Sequence, residues 1–334
     1  MAVLQTSGTY NYSASVITLL TAALRIAQIV GNEETPTGAE LQVGMDAFSA
    51  MVKGWQASGI HVWCEEEAIL FPQAAQPLYQ LGPASTDHAC LFDNLTQTTL
   101  TAQANAGAGT ITVANAAPIL SGDTIGIQVS SGTNFWTTVN GAPSGNNVTL
   151  AATLPAAAPS GSIVFDYTLP LARPLRVMGG RRYTYSSLID TPMQMWARLD
   201  YQAQPNKYSS GTITAFFYDP QTAGLGGGSY TAQNSLLNLW PNPADNTNGF
   251  RFTAQRPLQD LANLANLPDF PVEWNAALKW NLAMELGPEY GTPTEQMAII
   301  DKQAQKWYDM ASSWDRESES VLIGVAWAPG YRRG

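Results

Sequence analysis

The period of the apolar residues changes twice along this chain, and those changes limit the fold more than any other feature. Residues 13–59 and 269–314 space apolar side chains three and four apart, which gives a helix one buried face. Between them the period falls to two, in short Thr-, Val- and Ile-rich runs separated by Gly, Asn and Pro, the pattern of antiparallel strands and tight turns. The order predicts an α+β fold: helical hairpins at both ends of the chain packed together, with a central antiparallel β region.

In the first hairpin Val16, Leu20, Leu24, Ala27 and Val30 mark one stripe, ended by Gly31, and Leu41, Met45, Phe48, Val52 and Trp55 mark the second, closing at Gly59. "TGAE" is a capping box, in which the Thr37 hydroxyl accepts from the Glu40 amide while the Glu40 carboxylate reaches back. The last hairpin is expected to start near Asp269 with Pro271 in its first turn. It repeats Trp274, Leu278, Leu282 and Leu286 and stops at Gly287-Pro288. Its second helix is capped by Thr292, with Pro293 first and Glu295 as box partner, and carries Ile300, Ala304, Trp307, Ala311 and Trp314.

From residue 94 to residue 165 the sole charged side chain is Asp123. Runs such as "GDTIGIQVSSG", "FWTTVNG" and "GSIVFDYTL" in that stretch predict an inserted small β-barrel or sandwich. A second β segment follows in "PLRVMGGRRYTYSSL", "GTITAFFYDP", "SLLNLWPNP" and "NGFRFTAQRPL", with a short helix at "DTPMQMWARLDYQAQ". The expected divisions are 1–93 (hairpin and first strands), 94–168 (inserted β module), 169–260 (second β segment), 261–320 (C-terminal hairpin) and 321–334 (an extended arm).

Charged residues make up 13% of the chain, about half the usual share. A surface so poor in charge is expected to face other protein. The net charge of −10 opposes the phosphate neutralisation that nucleic-acid affinity requires. Two cysteines form no disulfide framework, which points to synthesis in the cytoplasm. The apolar positions of "SASVITLLTAALRIAQIV" are periodic rather than continuous, so it reads as a packed helix, and no stretch is long enough to span a bilayer.

"GIHVWCEEEAILF" places His61 and Cys64 beside Glu65, Glu66 and Glu67, and His88 and Cys90 complete the histidines and cysteines of the chain. Zinc ligand pairs converge from a tight knuckle or one helical face. Read as a strand, His61 and Cys64 point apart, and His88 and Cys90 lack a knuckle. These four are expected to be ordinary thiols and imidazoles, and the three glutamates a solvated strand edge. No histidine lies near a nucleophile elbow, and "GLGGGS" lacks the Lys-Ser/Thr of a phosphate loop. Glu285 and Glu289 straddle the expected helix end and share no guaranteed face. No catalytic residue, cofactor or metal is expected. Arg173, Arg176, Arg181 and Arg182 cluster within ten residues. They read either as a strand pairing with acidic neighbours or as a contact for another subunit or DNA phosphate. A carbohydrate-binding protein, with Trp136 and Trp240 as exposed platforms, and a zinc hydrolase are the alternatives in other functional classes.

"MVKGWQASGIHVWCEEEAILF" followed by "YQLGP" resembles the start of the head-to-tail connector, or adaptor, proteins of tailed bacteriophages, the group that includes the tail tubular and tail accessory factor proteins of short-tailed phages. "SGTITAFFYDPQ", "LNLWPNPAD", "FRFTAQRPLQDL" and "LPDFPVEWNAALKWNLAMELGPEYG" are similar to later signatures of that family. The resemblance implies a structural virion protein at the head–tail junction that docks as a ring of twelve copies on the portal. It also implies contact with a downstream tail or nozzle protein, passage of genomic DNA without tight binding, and no membrane. The large β region departs from the simplest members. The arm, with Val321, Leu322, Ile323, Val325, Trp327 and Tyr331, is expected to find a groove on a neighbour, portal or tail protein.

Overall fold

In the computed structural model, which describes residues 12–59, 62–130, 132–223 and 234–314, helices and antiparallel sheets are both prominent and the fold is α+β. The chain divides into two compact units, Met1–Trp63 with Leu258–Gly334, and Cys64–Pro257. Residues 64–93, grouped above with the first hairpin, belong to the β unit.

The helical unit contains α1 (Val16–Ile26), α2 (Gly38–Ser58), α4 (Asn275–Tyr290) and α5 (Thr294–Trp314), with α4 packed against the other three. The Thr37–Glu40 capping box starts α2 as the sequence predicts, and Gly59 ends it with φ of 90°. At α1–α2 a Cβ on Gly44 would lie 2.9 Å from Leu20 Cδ2, so the helices close on a glycine.

Two expectations fail at the last hairpin. The helix runs through Gly287-Pro288 to Tyr290 and ends at Gly291 with φ of 72°. Pro288 gives up the amide bond to the carbonyl four residues back, and the turn is held by packing instead: Gly287 makes room for Met297 Sδ, 2.3 Å from where a Cβ would stand. Thr292, expected as the cap of α5, donates its hydroxyl to the Ala27 carbonyl at 2.7 Å, and Gln296 donates to Ile26 O at 3.1 Å. Both satisfy terminal carbonyls of α1 that have no intrahelical donor. Trp55, Trp63, Phe270, Trp274 and Tyr308 pack edge to face or tilted between the helices, with Trp274 fully buried.

In the β unit a five-stranded sheet has the order β11 (Ile189–Pro192), β10 (Arg176–Thr184), β17 (Asn248–Gln255), β1 (Glu65–Leu70) and β3 (Ala89–Leu91). A four-stranded sheet, β12 (Gln194–Met195), β14 (Ala215–Ala223), β15 (Asn234–Trp240) and β2 (Leu78–Leu81), packs on one face of it. Ala68, Leu70, Phe250 and Phe252 meet Tyr79, Phe216, Leu237 and Leu239 in that interlayer. Ile69 and Phe71, along and just past β1, and Tyr183 and Tyr185, along and just past β10, point to the opposite face, as period-two alternation demands. There they pack against Phe165, Tyr167 and Trp136 of the insert. One sheet is therefore covered on both faces.

Of the barrel and the sandwich that its patterning allows, the insert is a barrel. Strands β4 (Thr96–Thr99), β9 (Ile163–Tyr167), β6 (Thr124–Gln128) and β7 (Asn134–Thr138) form one ladder, and β5 (Thr110–Thr112) with β8 (Asn147–Thr149) a second. The bridges Leu100–Val113 and Val139–Leu150 join the ladders end to end, which closes the sheet and removes its edges. Its own core contains Ile111, Val113, Ile125, Ile127, Val148 and Val164. The remaining short elements are α3 (Arg198–Ala203), β13 (Ser210–Gly211) and β16 (Asn242–Pro243). The helix expected across "DTPMQMWARLDYQAQ" is confined to α3, because the residues before it pair as β11 and β12.

Candidate functional site

At one side of the β unit the edges of its two packed sheets converge. Strand β11 pairs with residues 181–184 of β10 and reaches no farther. Beyond that point β12 approaches, with Met193 N–H donating to Gly180 O at 2.9 Å. Toward the start of β10 a groove of about 600 Å³ opens, lined by Arg176, Val177, Met178, Met195, Trp196 and Tyr218 among others. Met178 stands at the β-bulge between Val177 and Gly179, where the extra residue re-aims the side chain outward.

The far wall is held by side chains with specific partners. Trp196 packs on Trp240, centroids 5.2 Å apart, and the Trp240 indole N–H donates to Asn206 O at 3.1 Å. Tyr201 stacks on Phe217 at 5.5 Å, and Arg198 pairs with the buried carboxylate of Asp219 at 2.7 Å. Asp200 accepts from the Ala197 amide and so caps α3. On the floor, Tyr218 donates its hydroxyl to Pro174 O. These contacts fix the wall while apolar lining side chains stay in solvent: Met178 is 51% exposed and Met195 55%. Exposed apolar side chains grouped along one edge are the mark of a surface meant to be covered.

The four arginines predicted as one cluster are not one patch. Arg181 and Arg182 are adjacent on a strand and leave it on opposite faces. Arg182 reaches Ile213 O and Thr191 Oγ1, both at 3.5 Å. Arg181 is committed to Glu67 Oε2, which also accepts from Arg251 Nε at 3.1 Å, while Glu67 Oε1 accepts from Thr253 Oγ1 at 2.6 Å. Arg251 continues to Asp190 at 3.0 Å and lies 3.8 Å from the Phe92 ring centroid. Only Arg173 and Arg176 belong to the groove. Arg176 lines it, and Arg173 donates to the carbonyl of Pro220, another lining residue, at 3.0 Å.

That network also corrects the reading of the three glutamates. They are half-buried on a strand hydrogen-bonded to β17, and Glu66 and Glu67 are ion-paired rather than solvated. Burial by itself would raise the Glu67 carboxyl. The hydrogen bonds from Thr253 and Arg181 and the charges of Arg181 and Arg251 outweigh it and hold the group below the usual carboxylate range.

Cys64 lies in a 3-10 turn (Val62–Cys64) before β1, not on the strand as expected, and His61 lies outside the described residues. Cys90 is buried on β3. His88 stacks on Trp136, centroids 4.0 Å apart, with Nδ1 2.8 Å from the Tyr167 hydroxyl. Burial pushes this imidazole down to about 4, so at neutral pH it is uncharged. Among the described residues no group of three or more His, Cys, Asp or Glu is placed to hold a metal.

Trp136 is not the exposed platform expected: it is half-buried against His88 and covers Gly126, where a Cβ would lie 2.5 Å from its ring. Trp240 is likewise packed. Because α4 continues past Pro288, Glu285 and Glu289 do share a helical face, exposed, one turn apart. "GLGGGS" and the arm residues Val321, Leu322, Ile323, Val325, Trp327 and Tyr331 lie outside the described residues.

The groove itself escaped the sequence reading because its residues come from separate segments of chain. The available signal was "PMQMWARL", whose two methionines and tryptophan follow neither a helical nor a strand period.

No protein-family model and no curated protein matches this chain. Among solved structures it is similar in part to the Gp54 tailspike of Acinetobacter baumannii bacteriophage AP22 in complex with A. baumannii capsular saccharide. The identity is 18%, the TM-score 0.21, and the match covers 24% of this chain and 15% of the tailspike chain. No helix among the described residues is long and apolar enough to cross a membrane.

Proposed function

We propose that the chain is a non-catalytic structural protein of a phage virion, a head-to-tail adaptor that docks as a ring on the portal and forms part of the DNA channel leading to the tail. The observation that carries this reading is the groove of the β unit, where Met178 on β10 and Met195 on β12 stand in solvent and the far wall is held by fixed contacts. A prepared apolar surface of this kind supports protein assembly. The sequence signatures shared with the adaptor family name the assembly. The net charge of −10 suits a conduit that DNA must cross without adhering.

The test is electron microscopy of the purified chain mixed with the portal of its own phage. Closed rings seated on the portal are expected, with the isolated chain monomeric or weakly associated, because a symmetric platform sets the closure angle. Failure to bind the portal at micromolar protein rejects the adaptor role. The same reading predicts weak retention of duplex DNA. A tight complex in low-salt electrophoresis would identify a DNA-binding protein instead.

A further inference from the structure

We propose that residues 321–327 of one copy of this chain dock as an added strand in the β10–β12 groove of a second copy. The inference rests on the ring assembly proposed above and names the contact that links its members.

The groove provides what strand addition needs. On the side facing it, β10 has no strand partner among the described residues before position 181, and β12 is the outer strand of its own sheet. An extended peptide laid along such an edge gains main-chain hydrogen bonds, and its alternate side chains enter pockets. Here those pockets are walled by Val177, Met178, Met195, Trp196 and Tyr218.

The occupant is chosen by composition, reach and charge. "VLIGVAW" at 321–327 is apolar and rich in β-branched residues, and its length matches an ordinary strand. Helix α5 ends at Trp314, and residues 315–320 give a leader that extends to roughly 20 Å. That leader reads "DRESES", with three acidic residues and one basic, and the groove carries Arg176 on its lining and Arg173 beside it. A strand exchanged from copy to copy makes a head-to-tail contact, which closes into a ring when the rotation permits.

The experiment uses full-length chains carrying single cysteines, one Met178→Cys and the other Ile323→Cys, mixed at high concentration under mild oxidation. Cys64 and Cys90 are buried and do not compete. The expected result is a disulfide-linked dimer in the mixture, several-fold above a control in which the exposed Leu169 is the cysteine position. A doubly substituted chain that cross-links within the monomer while the mixture gives none overturns the proposal in favour of docking on the same copy. No cross-link in either arrangement also overturns it and leaves the groove to another protein. Electron microscopy separates the two readings. Rings on the portal without the cross-link sink only the strand exchange, whereas the cross-link without rings sinks only the adaptor role.

Discussion

Asp123 and Asp166 face each other inside the barrel, 1% and 2% exposed, each with one carboxylate oxygen that has no donor. Burial first, then the Asp123 charge and its hydrogen bond, push the Asp166 carboxyl up to about 7. Burial beside a second carboxylate thus favours the protonated form of Asp166. A group raised in the folded state contributes stability that is complete at pH below its ordinary value and is lost as pH rises through about 7. The neighbouring ionisable group on β3, Cys90, is itself pushed up by burial and then by Asp166, and stays a neutral thiol across that range. The buried His88 imidazole, held below its ordinary value, acts with the opposite sign over part of that range, so the test is the difference between chains: from about pH 4 to pH 7 melting temperature should rise more, or fall less, in Asp166→Asn than in the unsubstituted protein. An unchanged slope in the variant would show that other groups carry it. Glu67 predicts the opposite sign. Its carboxyl is held down, so its contribution is present at neutral pH and is lost as the solution is acidified through its lowered value. Glu67→Ala strands Arg181 on a half-buried face, leaves Arg251 paired with Asp190 alone, and is expected to cost about 2–3 kcal/mol, read from urea denaturation. A loss below about 0.5 kcal/mol would place the network among ordinary surface pairs.

At the scale of elements, periodicity and both ends of α2 were legible, and the ends of the last hairpin were not. The stripes Val16–Leu20–Leu24 and Leu278–Leu282–Leu286 are buried as predicted, because amphipathic spacing has only one way to meet a core. The Gly287-Pro288 stop failed because the loss of one backbone bond at Pro288 is offset by tertiary packing of that turn, with Met297 seated against Gly287, and the helix closes at Gly291 instead. Gly287→Ala is accordingly expected to destabilise the helical unit by roughly 1–3 kcal/mol, as overpacking does, despite alanine's better helix propensity. Stabilisation in thermal unfolding would mean that Met297 moves aside without cost. The arginine cluster divides for the converse reason: Arg181 pairs with an acidic neighbour, the first of its two readings, while the four side chains do not form one patch. Adjacency in sequence becomes opposition on a strand, and the partners that bind Arg181, namely Glu67 on β1 and through it Arg251 on β17, come from strands that pair only in the folded sheet. The groove was hard to read for the same cause, since two sheet edges create it and only the β12 edge carries a mark, in "PMQMWARL".

For the β unit as a whole, the barrel and the sandwich it covers are unequal partners. The barrel's termini lie side by side, with Thr96 paired to Asp166, so the chain enters and leaves at one point. Its interior core is closed by its own strands and shares no side chain with the sandwich. The sandwich, in contrast, relies on the barrel to cover Ile69, Phe71 and Tyr185, all nearly inaccessible in the whole chain. Polar contacts add register to this interface: Gln73 Oε1 accepts from the Asn134 amide at 3.2 Å, and Gln128 donates to Asn246 O at 3.0 Å. Residues 94–168 produced alone are expected to fold cooperatively, with Trp136, Phe165 and Tyr167 newly exposed on one face. The chain with that segment replaced by a short linker should fare worse. Uncovering several large side chains at about 1.5–3 kcal/mol each removes much of a domain's usual margin. Circular dichroism and dye binding to exposed apolar surface would compare the two. A soluble, non-aggregating deletion chain that still binds the portal would show that the barrel is an outer decoration. An aggregating deletion beside a folded barrel would show that the insert has become a structural part of the sheet it covers.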